Sequence, residues 1–392
     1  PSEGARRVPM VREGVAWYPL AEYVTRWSGT IPGQSEGTTV RYQIYGWTAD
    51  GRRVAAQDGQ GFWYRYSGNH ALTTFAYRVD SRGVEPEWLH DAVIYQIFVD
   101  RFRASSGRFV NTDDLQAKHG GDLYGILDAL PYLESLGVTC LWLSPVGPAP
   151  TYHRYDATDY FSVDPLLGDV AALRALTDAA HEHRMRVILD FVPSHLSVDH
   201  PAFQSALQHR SAQTADWFVF YEWPHRYRTF LEMVPHLVSL NTNSRGVREH
   251  LINSARFWIR EGGVDGFRLD HVIGHGMDFW VAFRNGLEAE REDVVTIGEA
   301  TDTGDALRRY AGRLTDILDF PLARALRLTF GTGEWDTAAF AGFLDALERF
   351  MADGPGRVTF IDNHDMDRFL FVAGHDTRRL KLALLCLLTL PH

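Results

Sequence analysis

Arg268 and Asp270 stand two residues apart in the stretch Gly266-Phe267-Arg268-Leu269-Asp270. On an extended strand, side chains two apart share a face, so the guanidinium can hold the carboxylate ionised and oriented. A carboxylate kept charged in that way can serve as a nucleophile, although a purely structural ion pair has the same pattern. Three other stretches place polar chemistry directly after apolar runs: Asp190-Phe191-Val192-Pro193-Ser194-His195, Gly298-Glu299 and Asp362-Asn363-His364-Asp365. A carboxylate beside a buried strand costs free energy unless it is paired or used. A single such residue reads as a helix cap or an ion-pair partner. Four successive occurrences, with His195 and His364 among them, predict that these groups converge on one rim.

The elements that must position them alternate between strand and helix. Short apolar runs near residues 94, 140, 188, 267, 296, 317 and 359 predict seven strands. Between them lie helix-period segments at 124–136, 170–183 and 247–259, and a leucine-rich one at 378–390. Fully apolar short strands alternating with helices imply a parallel sheet buried on both faces, an α/β architecture. Residues 1–86 differ: β-branched and aromatic clusters at 15–18, 39–45, 61–66 and 73–79, separated by Gly, Asp and Asn turns, predict a small β-sandwich with a polar linker at 80–86. The expected organisation is therefore an N-terminal domain at 1–86, a catalytic domain at 87–192 and 246–392, and an inserted subdomain at 193–245. An insertion at the C-terminal end of a barrel strand stands beside the active site.

With 392 residues, 45% of them hydrophobic, the chain can bury a large core. A net charge of −11 disfavours nucleic acid and anionic membranes as partners and suits a neutral substrate. The aromatic fraction of 13% fits a sugar-binding cleft and a large core equally well. Cys140 and Cys386 each lie in an apolar run and read as reduced core residues, not as ligands or a disulfide. No uncharged run is long enough to predict a membrane span, and no signal-like segment stands at the start. A cytoplasmic location is expected, with secretion left open.

In order and spacing, the four polar stretches resemble the four sequence regions of the α-amylase family of glycoside hydrolases. Supporting matches are Ile94-Tyr95-Gln96-Ile97-Phe98-Val99-Asp100-Arg101-Phe102, Leu143-Ser144-Pro145-Val146 and His153-Arg154-Tyr155-Asp156-Ala157-Thr158-Asp159-Tyr160. The β-rich start is similar to the N-terminal sandwich of the neopullulanase and cyclomaltodextrinase branch. The resemblance implies a (β/α)8 barrel that cleaves α-1,4-glucosidic bonds in starch-derived oligosaccharides, cyclodextrins or pullulan with retention of configuration. It implies Asp270 as nucleophile, Glu299 as general acid/base and Asp365 as a stabiliser of the distorted sugar. Tyr155, His195 and His364 are implied to bind substrate, Arg268 to hold Asp270, and Asp190 to brace the arginine. A retaining glycosidase needs one ionised carboxylate and one protonated acid about 5–5.5 Å apart, and crowding of carboxylates would raise the acid. A transglycosylase of the same family and a non-catalytic carbohydrate- or partner-binding relative are the competing readings.

The resemblance also marks departures. Ser194 stands where the family usually has an Asn serving a calcium site, while Asn111, Asp113, Asp114, Gly120 and Asp122 resemble a different calcium loop. Oxygen ligands of that kind suit Ca²⁺, and an ordinary polar surface loop has the same composition. No organic cofactor is expected, and the branch suggests a homodimer. His271 and Gly274 follow the nucleophile where the leaving-group sugar would sit. The sequence stops at Leu390-Pro391-His392, before the eighth strand the resemblance calls for, so the expectation is a barrel truncated there and a chain that is a piece of a longer polypeptide.

Overall fold

The computed structural model describes residues 6–18, 22–56, 74–79, 85–301 and 305–390. The predicted strand at 61–66, most of the linker at 80–86 and the last two residues lie outside them.

Seven parallel strands form one sheet in chain order. They are β1 (Ile94–Ile97), β2 (Cys140–Leu143), β3 (Arg186–Phe191), β4 (Gly266–Leu269), β5 (Val295–Gly298), β6 (Asp316–Leu318) and β7 (Gly356–Val358). This is a (β/α)8 barrel without its last strand, as the sequence predicts. Alternation within the strands separates two cores. Cys140, Trp142, Ile188, Val295, Ile297 and Leu318 face inward with Leu89, which comes from the short helix Glu87–His90. Leu141, Leu143, Val187, Leu189, Phe267 and Leu269 face the surrounding helices, among them Val170–Glu182, Arg245–Arg260 and Met277–Glu288. Gly266 opens β4 because a Cβ there would overlap the backbone oxygen of Val295 on β5.

Two predicted elements shift for local reasons. The helix expected at 124–136 is two helices, Leu123–Leu127 and Leu130–Ser135, because Pro131 has no N–H to continue the ladder. It ends at Gly137 with φ 78°, the left-handed cap the sequence implies. Strand β7 ends at Val358, earlier than predicted, because its neighbour turns away: Asp319 donates its N–H to the Val358 carbonyl and then caps the helix Phe320–Leu326.

The register sets up the site. Arg268 on β4 pairs with Asp190 on β3, and Leu269 pairs with Gly298 on β5. Asp190, Arg268, Asp270 and Glu299 therefore reach the same end of the sheet. The inserted segment adds the strands His195–Ser197, Thr229–Phe230 and Val234–Ser239 beside that end. Its aromatic residues divide: Phe203 packs on Phe218 and Tyr227 in a small core, whereas Phe230 turns toward His195 and His271.

The N-terminal region is β-rich, with antiparallel pairs Val11–Tyr18 with Glu22–Ser28, Thr39–Tyr42 with Phe75–Arg78, and Tyr45–Trp47 with Arg53–Ala55. It is fastened to the barrel helices where Asn285 Nδ2 donates to Thr39 Oγ1 at 3.1 Å, Arg313 Nε donates to the Ala76 carbonyl at 2.7 Å, and Arg78 pairs with Glu288. Among the described residues, no helix is long and apolar enough to cross a membrane.

Candidate active site

Arg268 is fully buried, at 0% exposure, and holds the site together. Its Nη1 donates to Asp190 Oδ1 and Oδ2 at 2.9 and 3.1 Å and to Asp270 Oδ1 at 2.9 Å. Its Nη2 lies 2.6 Å from Glu299 Oε1, an ion pair whose N–H is not aligned for a hydrogen bond. The guanidinium sits 5.3 Å over the Trp142 ring. Asp190 also accepts from Trp142 Nε1 at 3.1 Å and from the Tyr155 hydroxyl at 2.8 Å, so its oxygens are saturated with donors. That is the bracing role the sequence suggests for it.

One cation among three carboxyl groups cannot neutralise all of them. Burial pushes Asp270 well above the usual carboxylate range; Arg268 pulls it back, and the charges of Glu299 and Asp190 push it further up. Burial also raises Glu299, against Arg268 and a hydrogen bond from the His271 N–H, while Asp365 and Asp190 add to the rise. Arg268 favours the ionised form of Asp270, in the sense the sequence suggests, while desolvation and the neighbouring carboxyls work against it. Each of Asp270 and Glu299 is raised by burial and lowered by the same guanidinium, so desolvation favours a proton on one of them. A proton in that pair is what a reaction needing one acid and one carboxylate requires.

The histidines are neutral by burial. His195 is pushed down to about 3 and His271 to about 4. His195 Nδ1 lies 2.7 Å from Ser194 Oγ, and its Nε2 has no hydrogen-bond partner among the described residues, which leaves it for a ligand. His364 has Gln96 Nε2 at 2.6 Å from its Nδ1 and the Tyr155 hydroxyl at 2.7 Å from its Nε2. One tautomer satisfies every contact: Gln96 donates to Nδ1, Nε2–H donates to Tyr155, and Tyr155 donates to Asp190. Tyr155 and His364 lie parallel, with centroids 5.4 Å apart and planes 7° apart.

Asp270, Glu299, Arg268, Tyr155 and His364 thus join one network through Asp190. Asp365 touches it only at its edge, through His364. Its side chain is 61% exposed and meets His364 Nε2 at 3.4 Å, at the open edge where a bound molecule would cover it. Gln96 and Trp142 complete the network and are absent from the sequence-derived set. Their signal was a polar or bulky residue on the inward face of an apolar strand.

Two residues of the candidate calcium loop serve local hydrogen bonds. Asp122 caps the helix Leu123–Leu127, accepting from Gly125 N at 2.6 Å and from Ser105 N and Oγ at 3.1 and 2.8 Å. Asp114 accepts from the Gln116 N–H at 2.9 Å. No group of three or more His, Cys, Asp or Glu side chains able to hold a metal occurs among the described residues.

Residues 96–392 match the α-amylase catalytic domain. The chain belongs to the α-amylase family. Its curated relatives include Alpha-amylase 2 of Dictyoglomus thermophilum, 37% identical over 76% of this chain and 52% of that protein. Neopullulanase 2 of Thermoactinomyces vulgaris is 34% identical over 78% of this chain and 55% of that one. Among solved structures, a cyclomaltodextrinase aligns with a TM-score of 0.71 at 28% identity, over 97% of this chain and 67% of that one. The chain spans about half the length of the curated relatives it matches.

Proposed function

We propose that this chain carries the catalytic machinery of a retaining glycoside hydrolase that cleaves α-1,4-glucosidic bonds in starch-derived oligosaccharides, cyclodextrins or pullulan. The observation that supports it most is the single buried guanidinium of Arg268 shared by Asp190, Asp270 and Glu299. Asp270 attacks the anomeric carbon while Glu299 gives its proton to the departing oxygen; Glu299 then takes a proton from the water that releases the sugar from Asp270. Asp365 hydrogen-bonds the distorted ring, His195 holds a hydroxyl, and His364 exchanges its Tyr155 contact for a hydroxyl of the sugar above Tyr155. The N-terminal region at 1–86 and the insertion at 193–245 flank a catalytic unit formed by 87–192 and 246–392.

A product time course on maltoheptaose, β-cyclodextrin and pullulan tests this reading. Opening of β-cyclodextrin with α-configured new ends is expected, and absence of turnover on all three would overturn it. The loop with Asn111, Asp113, Asp114, Gly120 and Asp122 is a candidate for one structural Ca²⁺, held by carboxylate, amide and carbonyl oxygens. A Tm drop on chelation with EDTA that Ca²⁺ reverses is the result a stabilising ion predicts, and an unchanged Tm would argue against one.

A further inference from the structure

His271 follows the nucleophile in a left-handed conformation, φ 44°, which residues other than glycine rarely adopt. The turn it makes is fastened to Glu299 three times. The His271 N–H donates to Glu299 Oε2 at 2.9 Å, the Val272 N–H donates to the Glu299 carbonyl at 3.2 Å, and the Glu299 N–H donates to the Leu269 carbonyl at 2.9 Å. The φ and ψ of residue 271 set how its own N–H and that of Val272 are turned relative to each other. The left-handed value lets the His271 N–H meet the Glu299 carboxyl while the Val272 N–H meets the Glu299 carbonyl. The His271 ring is edge-on to Phe230 of the insertion at 4.7 Å.

We propose that His271 is a positioning residue whose left-handed backbone aims an amide at Glu299 and sets both the orientation and the acidity of that carboxyl group. The proposal rests on Glu299 acting as the acid/base. Other groups facing Glu299 are the cation of Arg268 and the carboxyls of Asp190, Asp270 and Asp365. The imidazole of His271 is neutral, so its contribution comes from the backbone. An N–H donated to a carboxylate favours the charged form, and losing it raises the group.

The test is the pH profile of kcat/KM on a maltooligosaccharide for wild type, His271→Gly, His271→Ala and His271→Val. Glycine populates the left-handed region freely, whereas a β-branched residue resists it. Val is expected to move the alkaline limb up by about one pH unit and to lower kcat/KM roughly tenfold, Ala to fall between, and Gly to keep the wild-type limb. The loss in the Val variant should shrink on an aryl glycoside whose leaving group needs no proton. A Gly limb displaced as far as that of Ala or Val would overturn the proposal, because the side chain and not the backbone would then be responsible. The Gly and Ala variants decide the matter if Val does not fold. Failure of the wild type itself to hydrolyse any α-glucoside would instead overturn the assignment of Glu299.

Discussion

Replacing Asp270 with Asn is expected to lower hydrolysis by roughly four orders of magnitude or more while raising the melting temperature at pH 7. The two effects have one cause. Asp270 is buried, its acidity is pushed well above the ordinary carboxylate range by desolvation, and its partner Arg268 is shared with Asp190 and Glu299. A carboxyl whose folded-state pKa exceeds its unfolded value binds more protons when folded. Its favourable contribution is present below the unfolded pKa of about 3.9 and is lost as pH rises through the folded value. At pH 7 the charged form is therefore a burden on the fold, and a neutral amide of the same shape relieves it by a few degrees of Tm, on the order of 1–2 kcal/mol. Glu299→Gln should act in the same direction. Activity close to wild type, or a lower Tm at pH 7, would contradict the site as described.

Removing the cation should do the opposite. Arg268→Met leaves Asp190, Asp270 and Glu299 facing one another in a site closed to solvent. Breaking a buried pair in this way typically destabilises by about 3–5 kcal/mol, and here three carboxyls lose the same partner. Lys is not expected to rescue, since a single ammonium cannot reach three carboxyls as the fork does. The defect should shrink as pH falls through the acid range, because the stranded carboxyls take up protons that neutralise them. Thermal melts of wild type and variant between pH 4 and 8 measure this directly: the gap in Tm should be widest at pH 8. A variant as stable as wild type throughout would show that the guanidinium is not what compensates the cluster.

Much of this site can be read from residue order, because a parallel sheet converts sequence position into spatial position. Once strands are placed near 188, 267 and 296, the residues ending them must share a rim, which is how Asp190, Arg268, Asp270 and Glu299 meet. The balance of forces inside the rim was not legible. The sequence suggests that Arg268 keeps Asp270 charged, and the structure adds that the same buried guanidinium also faces Asp190 and Glu299. Gln96 and Trp142 escaped because their part depends on which strand face points inward at β1 and β2, and on Tyr155 closing over them from a loop. Asp122 is ambiguous in sequence because the same Asp in a Gly-Gly-Asp stretch can ligate a cation or cap the helix that follows, and the structure shows the cap, with donors from Ser105 and Gly125. The left-handed turn at His271 has no composition signature, since the residue there is neither Gly nor Asn.

The central claim is that Asp270 forms the bond to sugar, and covalent trapping tests it most directly. A maltosyl fluoride with fluorine on the reacting ring slows release of the glycosyl-enzyme, so the adduct can be located by peptide mass spectrometry. The expected result is one adduct per chain on the peptide bearing Asp270, absent in Asp270→Asn. An adduct on Glu299, Asp365 or Asp190, or turnover that inverts the anomeric centre and leaves no adduct, would contradict it.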